Sequence, residues 1–402
     1  MFSLKVLPFL PCRAESRASS RIQVPRDDWC TLRVLTLPKV EPVIQAAARW
    51  MAYNSFSMTV AVRSFAKINL GLYIGALRAD GFHDLRTVYQ TIALHDVIRV
   101  SVGRGAGIEI RCDDARVPLD STNTCYRIAG CVMKVLGATG KITIEIEKKL
   151  PVQGGLGAAS SNAVATMFAL EKALKRPLTG TARLRIAAEV GSDLPLFVIG
   201  GTVLGVGHGE EVYPLPDLGA MAMVVVTPGI GVSTPKAFAD WDALVEREKV
   251  PTGTAEGGRP HANTAQLTHS GSSDRLFEVG CALSAWLTGL PEVSHNTGAP
   301  AKVGSRAGSL LSDLVRTGIE NDFEKVVFPQ FPELRDMKRA LERAGSRYAS
   351  LSGSGSTLYG LFRSPDEAAK AASLLQKQGL KAMATRTLPR REYWKKSLVA
   401  GR

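Results

Sequence analysis

Three short segments carry residues able to do chemistry on a phosphorylated ligand. Residues 151–163, PVQGGLGAASSNA, place Gly154, Gly155 and Gly157 ahead of Ala158, Ala159, Ser160 and Ser161, and an apolar, helix-like run follows. Glycines carry no side chain to block a ligand and tolerate positive φ, so several backbone N–H groups can converge on a polyanion where the helix begins. The serine hydroxyls add donors, and the helix dipole adds roughly half a positive charge. A helix start packed against a strand would favour the same glycines, so this segment alone leaves both accounts open. Lys67 and Asn69 share one face of an alternating segment, AKINL, where a lysine could equally be a solvated edge charge. Asp193, in GSDLPLFVIGG, is an acid between a serine and a Leu-Pro pair, and such an acid can cap or turn the chain without any chemistry.

The elements that would position these residues are legible in part. Val60, Val62, Ala66, Ile68, Leu70, Leu72 and Ile74 recur at period two and predict a strand with one buried face, followed by a turn at Asp80-Gly81. Residues 96–102 and 107–111 read as paired strands, 122–136 as a helix, and 141–147 as another strand leading into the glycine-rich turn. Residues 184–190 are helix-like, 222–227 strand-like and 365–378 helix-like. SLSGSGSTLYGLF, 350–362, could be a flexible Gly-Ser turn, but its apolar flanks predict strand, loop and then helix. Strands come first and helices after, which gives two α+β domains at 58–218 and 219–388, with a basic tail at 389–402. A polar Gly/Thr/His-rich insertion at 251–273 reads as a disordered surface segment, with His261 and His269 solvated in it.

No Gly-Lys-Ser/Thr follows the glycine turn, and the G-x-G-x-x-G frame of a dinucleotide fold is missing. Instead, Pro151, Gly155, Leu156, Gly157 and Ser161 stand as in the ATP loop of the GHMP kinases, which this chain resembles. Gln153, Ala158 and Ala159 replace glycines common in that loop, which bears on how closely the backbone approaches a β-phosphate. AKINL followed by RADGFH is similar to the opening of one family within that superfamily, the 4-diphosphocytidyl-2-C-methyl-D-erythritol kinases. NDFEKVV, 321–327, matches the family's NDLE segment and looks like a helix start.

The resemblance covers most of residues 60–387 and implies a two-domain GHMP kinase fold. Its first domain would be an α+β domain related to a ribosomal protein domain, and its second a ferredoxin-like α+β domain. It implies ATP with Mg²⁺ as cofactors and the cytidine diphosphate methylerythritol as small-molecule substrate. Asp193 would be the catalytic base and Lys67 its partner. Pro151, Gly154, Gly155, Leu156, Gly157, Ala158, Ala159, Ser160 and Ser161 would hold ATP, and Ser161 could also reach the metal. Phe82 and Phe238 would sandwich the cytosine while His83 reads its edge. Asn69, Thr234, Pro235, Ser354 and Gly355 would complete the substrate site. Another GHMP kinase, acting on homoserine, mevalonate or a sugar, is the alternative, and a catalytically silent nucleotide- or RNA-binding scaffold is a third.

Composition narrows the partners. The chain has 402 residues, 45% of them hydrophobic, and a formal charge of +13. Its basic residues are scattered and not interleaved with aromatics, so the excess suits anionic nucleotide substrates rather than a nucleic acid. No apolar run is long enough to span a bilayer, so no membrane partner is expected, and the enzyme is expected as a monomer or homodimer. Cys12, Cys30, Cys112, Cys125, Cys131 and Cys281 form no C-x-x-C pair, which points to reduced thiols in a cytoplasm-like compartment. Residues 1–57 fit nothing downstream: a start assigned too early or a disordered tail, a transit peptide directing the protein to the plastid stroma, or a regulatory arm.

Overall fold

The computed structural model describes residues 59–152, 154–249 and 320–399. The first 57 residues, Gln153, the insertion at 251–273 and Cys12, Cys30 and Cys281 lie outside the described residues. Of the two units into which the chain divides, Met1–Phe56 and Ser57–Arg402, the described residues all belong to the second.

Strand β1 (Val60–Leu77) shows the expected alternation: Ala66, Ile68 and Leu70 point into an apolar layer shared with Met223, Val225, Tyr359 and Leu361. The expectation of a single buried face is corrected, because Lys67 and Asn69 on the opposite face are only 4% and 2% exposed. They are covered by the glycine turn, whose Leu156 carbonyl accepts the Lys67 backbone N–H at 3.0 Å. β1 pairs antiparallel with β2 (His83–Gly103), with register shifts between Phe65 and Lys67 and between Asn69 and Gly71. Irregularities of this kind re-aim side chains next to functional sites.

The first sheet continues through β3 (Gly107–Cys112), β4 (Lys141–Glu147), β5 (Thr202–Val206) and β6 (Glu211–Pro214) in the order β3-β4-β2-β5-β6. Residues 96–102 and 107–111 are therefore not paired with each other: β3 runs parallel to β4, and β4 lies between them. Helix α1 (Thr124–Leu136) makes the crossover that a parallel pair needs. The inner place goes to the strand with more buried apolar surface: Ile142, Ile144 and Ile146 of β4 are buried, but only Ile110 of β3. Helices α2 (Ala158–Leu174), α3 (Gly180–Val190) and α4 (Leu194–Ile199) complete this domain, with Ile98, Val100, Ile128, Met167, Leu170 and Phe197 in its core.

The second domain starts with β7 (Ala222–Val226), buried along its whole length, and α5 (Thr234–Lys249). After α6 (Glu324–Gln330) and α7 (Pro332–Arg343) come β8 (Tyr348–Leu351), β9 (Leu358–Phe362), α8 (Pro365–Lys377) and β10 (Ala382–Arg386). The sheet order is β10-β7-β9-β8, antiparallel throughout, which is the ferredoxin-like βαββαβ arrangement. One expectation fails here. The run after the SGSGST loop is a strand, not a helix: LYGLF is too short for a stable helix and is buried on both faces between β7 and β8.

The stretch read as a basic tail returns to the first domain as α9 (Arg390–Ser397). Tyr393 packs on Phe65 and donates its hydroxyl to the Phe197 carbonyl at 2.7 Å, and the Val399 N–H pairs with the Ala61 carbonyl on the open edge of β1. Among the described residues no helix is long and apolar enough to cross a membrane.

Candidate active site

A single buried carboxylate sets the entry to the glycine turn. Asp96 is fully buried; its Oδ1 accepts the Lys149 and Leu150 backbone N–H groups at 2.7 and 2.8 Å, and its Oδ2 accepts Lys148 Nζ at 2.5 Å and Asn162 Nδ2 at 3.0 Å. One side chain of β2 thus fixes both the chain entering the turn and the helix leaving it. A charge buried to this degree persists only when its partners are complete.

The turn itself interlocks with the SGSGST loop of the second domain. Ser352 Oγ donates to the Gly155 carbonyl at 3.0 Å, and the Thr357 N–H donates to the Gly154 carbonyl at 3.2 Å. Gly155 has φ +74°, and a β-carbon there would lie 2.0 Å from the Ser352 carbonyl oxygen. Asn321 holds the partner loop by donating to the Leu351 and Gly353 carbonyls at 2.9 and 2.8 Å. Helix α6 begins three residues later, consistent with the helix start expected in NDFEKVV.

Helix α2 begins at Ala158 behind Gly157, whose φ is +66°, and no side chain caps it. The first intrahelical bond there is Ser161 N–H to the Gly157 carbonyl at 2.9 Å, so the N–H groups before it remain for a ligand. They open on a cavity of about 380 Å³ bordered by Gly154, Ala159 and Ser160, by the start of α1 at Asn123 and Thr124, and by Lys148. Two helix N-termini therefore face one space, which suits a polyanion. Cys125 also borders it, and burial pushes that thiol up to about 12, which leaves it protonated and inert.

Ser161 is not turned toward that cavity. It is 2% exposed, donates to the Phe65 carbonyl at 2.6 Å and accepts Ser64 Oγ at 2.8 Å. Its hydroxyl stitches α2 to β1, and the expectation that it reaches a metal finds no support in this placement. Ser160 is the serine that lines the cavity.

At the mouth of the helix, Lys67 Nζ lies 2.7 Å from Asn69 Oδ1 and 3.4 Å from Asp193 Oδ2. The lysine is almost fully enclosed whereas the aspartate side chain is 33% exposed, so the pair offers one accessible carboxylate backed by a buried cation. Asn69 is oriented by its own bond to Thr87 Oγ1 at 2.7 Å. A β-carbon on Gly157 would sit 3.1 Å from Lys67 Cγ, and one on Gly353 3.5 Å from Lys67 Nζ. Both glycine-bearing loops therefore close on the lysine. Tyr89 donates its hydroxyl to Asp193 Oδ1 at 3.0 Å; burial, reinforced by the Asp193 charge, pushes that hydroxyl well above the usual phenol range.

The residues expected to read a base are arranged differently. Phe82 is 57% exposed and stacks on His208, with ring centroids 4.4 Å apart. Phe238 lies parallel to His83 at 5.3 Å, so the two phenylalanines stack on different histidines. Both nitrogens of His83 are engaged, Nδ1 with the Gly75 carbonyl at 3.1 Å and Nε2 with Asp242 at 3.0 Å. Thr234 is exposed and bonds the buried Ser354 hydroxyl at 2.7 Å, which links the start of α5 to the SGSGST loop; Pro235 is exposed beside it. Gly355, at φ +96°, directs its carbonyl toward Gly155.

The structure thus brings Lys67, Asn69, Asp193, the glycine turn and the SGSGST loop to one lip. Tyr89, Asp96 and Asn321 were not expected there, and Ser352 was expected only as part of the SGSGST loop. Asp96 had a signal, an acid two residues beyond the run TIAL and at the start of the strand-like residues 96–102; Tyr89 had none, since an aromatic in a strand is ordinarily core.

Comparisons with known proteins agree with this construction. The GHMP kinases N terminal domain family matches residues 123–201 and the GHMP kinases C terminal family residues 303–381. A 4-diphosphocytidyl-2-C-methyl-D-erythritol kinase of Solibacter usitatus is 35% identical, covering 78% of this chain and 84% of its own. One of Heliobacterium modesticaldum is 33% identical, covering 81% and 95%. A crystal structure of a 4-(cytidine 5'-diphospho)-2C-methyl-D-erythritol kinase superposes with a TM-score of 0.56 at 27% identity, covering 81% of this chain and 98% of that one. A homoserine kinase from Cytophaga hutchinsonii reaches 0.57 at 19% identity, a likeness of fold alone. With two relatives above 30% identity over most of their length and the ATP-loop lip assembled as described, the chain belongs to the 4-diphosphocytidyl-2-C-methyl-D-erythritol kinase family of the GHMP kinases.

Proposed function

We propose that the protein phosphorylates the 2-hydroxyl of 4-diphosphocytidyl-2-C-methyl-D-erythritol with ATP, a step in making isoprenoid precursors. The observation that carries it is the Lys67–Asp193 pair, 3.4 Å apart at the mouth of an uncapped helix start. Phosphoryl transfer to an alcohol passes through a loose transition state, so catalysis is mostly alignment and charge stabilisation. The exposed carboxylate of Asp193 orients the hydroxyl and accepts its proton as the bond to phosphorus forms. Lys67, held by Asn69, stabilises charge on the transferring group, and the N–H groups at the start of α2 hold the phosphates behind it.

Mg²⁺ is the finer part of the cofactor proposal. Among the described residues no group of three or more His, Cys, Asp or Glu could hold a metal, but Mg²⁺ keeps several waters and takes one or two carboxylates plus substrate phosphates. Ser160, which lines the phosphate cavity, is the side chain that would meet an ion held through the phosphates and its own waters, and the ion would supply charge neutralisation there. At the other end, cytosine recognition by Phe82, His83 and Phe238 is supported by an exposed aromatic beside a buried histidine. Reading the base through Nε2 requires His83 to release Asp242.

Turnover with Mg-ATP is to be measured on the cytidyl substrate, homoserine and mevalonate in parallel, with cytidine 5′-diphosphate as competitor. Turnover confined to the cytidyl substrate and inhibited by cytidine diphosphate is expected. Turnover on homoserine or mevalonate, insensitive to that competitor, would replace the substrate assignment.

A further inference from the structure

Tyr89 is a fully buried residue whose hydroxyl reaches the one carboxylate that the chemistry needs. It donates to Asp193 Oδ1 at 3.0 Å, while Lys67 faces the other oxygen, Oδ2, at 3.4 Å. Its ring also lies under the ammonium of Lys67, with Nζ 5.5 Å from the centroid. The tyrosine therefore touches both members of the pair.

The surroundings of Tyr89 are shaped for its full length. A β-carbon on Gly205 would lie 2.5 Å from Tyr89 Cε2, and one on Gly209, at φ +97°, would lie 2.6 Å from the hydroxyl oxygen. Two glycines of the β5–β6 hairpin thus form a slot that admits the ring and aims the hydroxyl. An apolar packing role would be served by phenylalanine; the slot reaches the oxygen. The phenol stays protonated because its ionisation is opposed by burial and by the adjacent carboxylate, so it remains a donor.

We infer that Tyr89 is a positioning residue for phosphoryl transfer: by occupying Asp193 Oδ1 it fixes the carboxylate and reserves Oδ2, the oxygen beside Lys67, for the proton of the substrate. This rests on the assignment of Asp193 as base. In the step, the alcohol O–H bond breaks and its proton passes to Oδ2. The alcohol oxygen bonds to the γ-phosphorus as the bond from that phosphorus to the ADP oxygen breaks. Tyr89 keeps its own proton throughout.

Tyr89→Phe isolates the hydroxyl, because phenylalanine fits the same slot and keeps the ring under Lys67. A hydrogen bond to a charged group corresponds to a rate factor of about 10- to 100-fold, so kcat is expected to fall by that much. KM for ATP and for the alcohol should stay within about twofold, since neither is touched by the hydroxyl. In an Asp193→Asn background the same substitution should change the residual rate less than twofold, as expected of residues acting as a unit. Thermal melting of each variant accompanies the kinetics. Should Tyr89→Phe melt well below the parent protein, kcat is compared at temperatures where both remain folded, with the same expected loss. A kcat within twofold of the parent for a well-folded Tyr89→Phe overturns the inference, as does an equal loss in the Asp193→Asn background. Full turnover by Asp193→Asn would remove the base and the inference together. A dead Asp193→Asn beside a parent-like Tyr89→Phe overturns the tyrosine's role alone.

Discussion

The two ends proposed to take the phosphates and the base are built by opposite means. At the phosphate end, backbone does the recognising: the turn before α2 is pinned by buried Asp96 on one side and by Ser352 and Thr357 on the other, and Gly155 has no room for a methyl group. At the proposed base end, side chains from remote segments meet, exposed Phe82 on His208 and buried His83 on Phe238, with the exposed Asp242 on the histidine edge. On the proposed assignment the triphosphate meets this rigid backbone cradle, whose converging N–H groups suit a polyanion. On the same assignment the base meets side chains on turns, which can be exchanged without disturbing the cradle.

Substitutions that test this contrast range from those that should abolish turnover to those that shift only substrate affinity. Asp193→Asn should lower kcat by about 10³-fold or more while ATP affinity, measured by equilibrium binding, stays within about twofold. Gly155→Ala should cost about 10²-fold in kcat/KM for ATP, because its methyl group meets the Ser352 carbonyl and parts the two loops. Asp96→Asn should act on stability first, since it leaves Lys148 beside a buried partner that has lost its charge; a loss of about 3–5 kcal/mol in chemical denaturation is expected. At the base end, Phe82→Ala should raise KM for the cytidyl substrate by about tenfold with little change in kcat. Asp242→Asn should change that KM by about threefold or less, as an exposed partner of His83. A Phe82→Ala enzyme with parent-like KM would break the contrast at its base end, and a Gly155→Ala enzyme with parent-like use of ATP would break it at the other.

Legibility in the sequence follows the same division. The glycine turn, the period-two strand, β7 and α8 could be read locally, because a turn needing positive φ selects glycine and alternating apolar residues mark the core face of a strand. Pairing could not: nothing in residues 107–112 states that β4 will lie between them and β2, since that outcome is set by the competing burial of Ile142, Ile144 and Ile146. LYGLF reads as strand or helix until the neighbours of β9 are known. Ser161 occupied the expected place in its motif, yet its hydroxyl is taken by Ser64 and Phe65 from another element. Tyr89 was silent because its role depends on glycines more than 100 residues away.

Lys67 and Asp193 are proposed to promote phosphoryl transfer from ATP to the alcohol of a cytidyl substrate. The most direct measurement is the phosphorus NMR spectrum of the full chain incubated with Mg-ATP and 4-diphosphocytidyl-2-C-methyl-D-erythritol, beside an Asp193→Asn control of matched ATP affinity. A new phosphomonoester signal growing with the ADP signals in the parent reaction, and missing from the control, is the predicted result. No phosphomonoester from an ATP-binding parent protein, or equal signal from the control, would contradict the account.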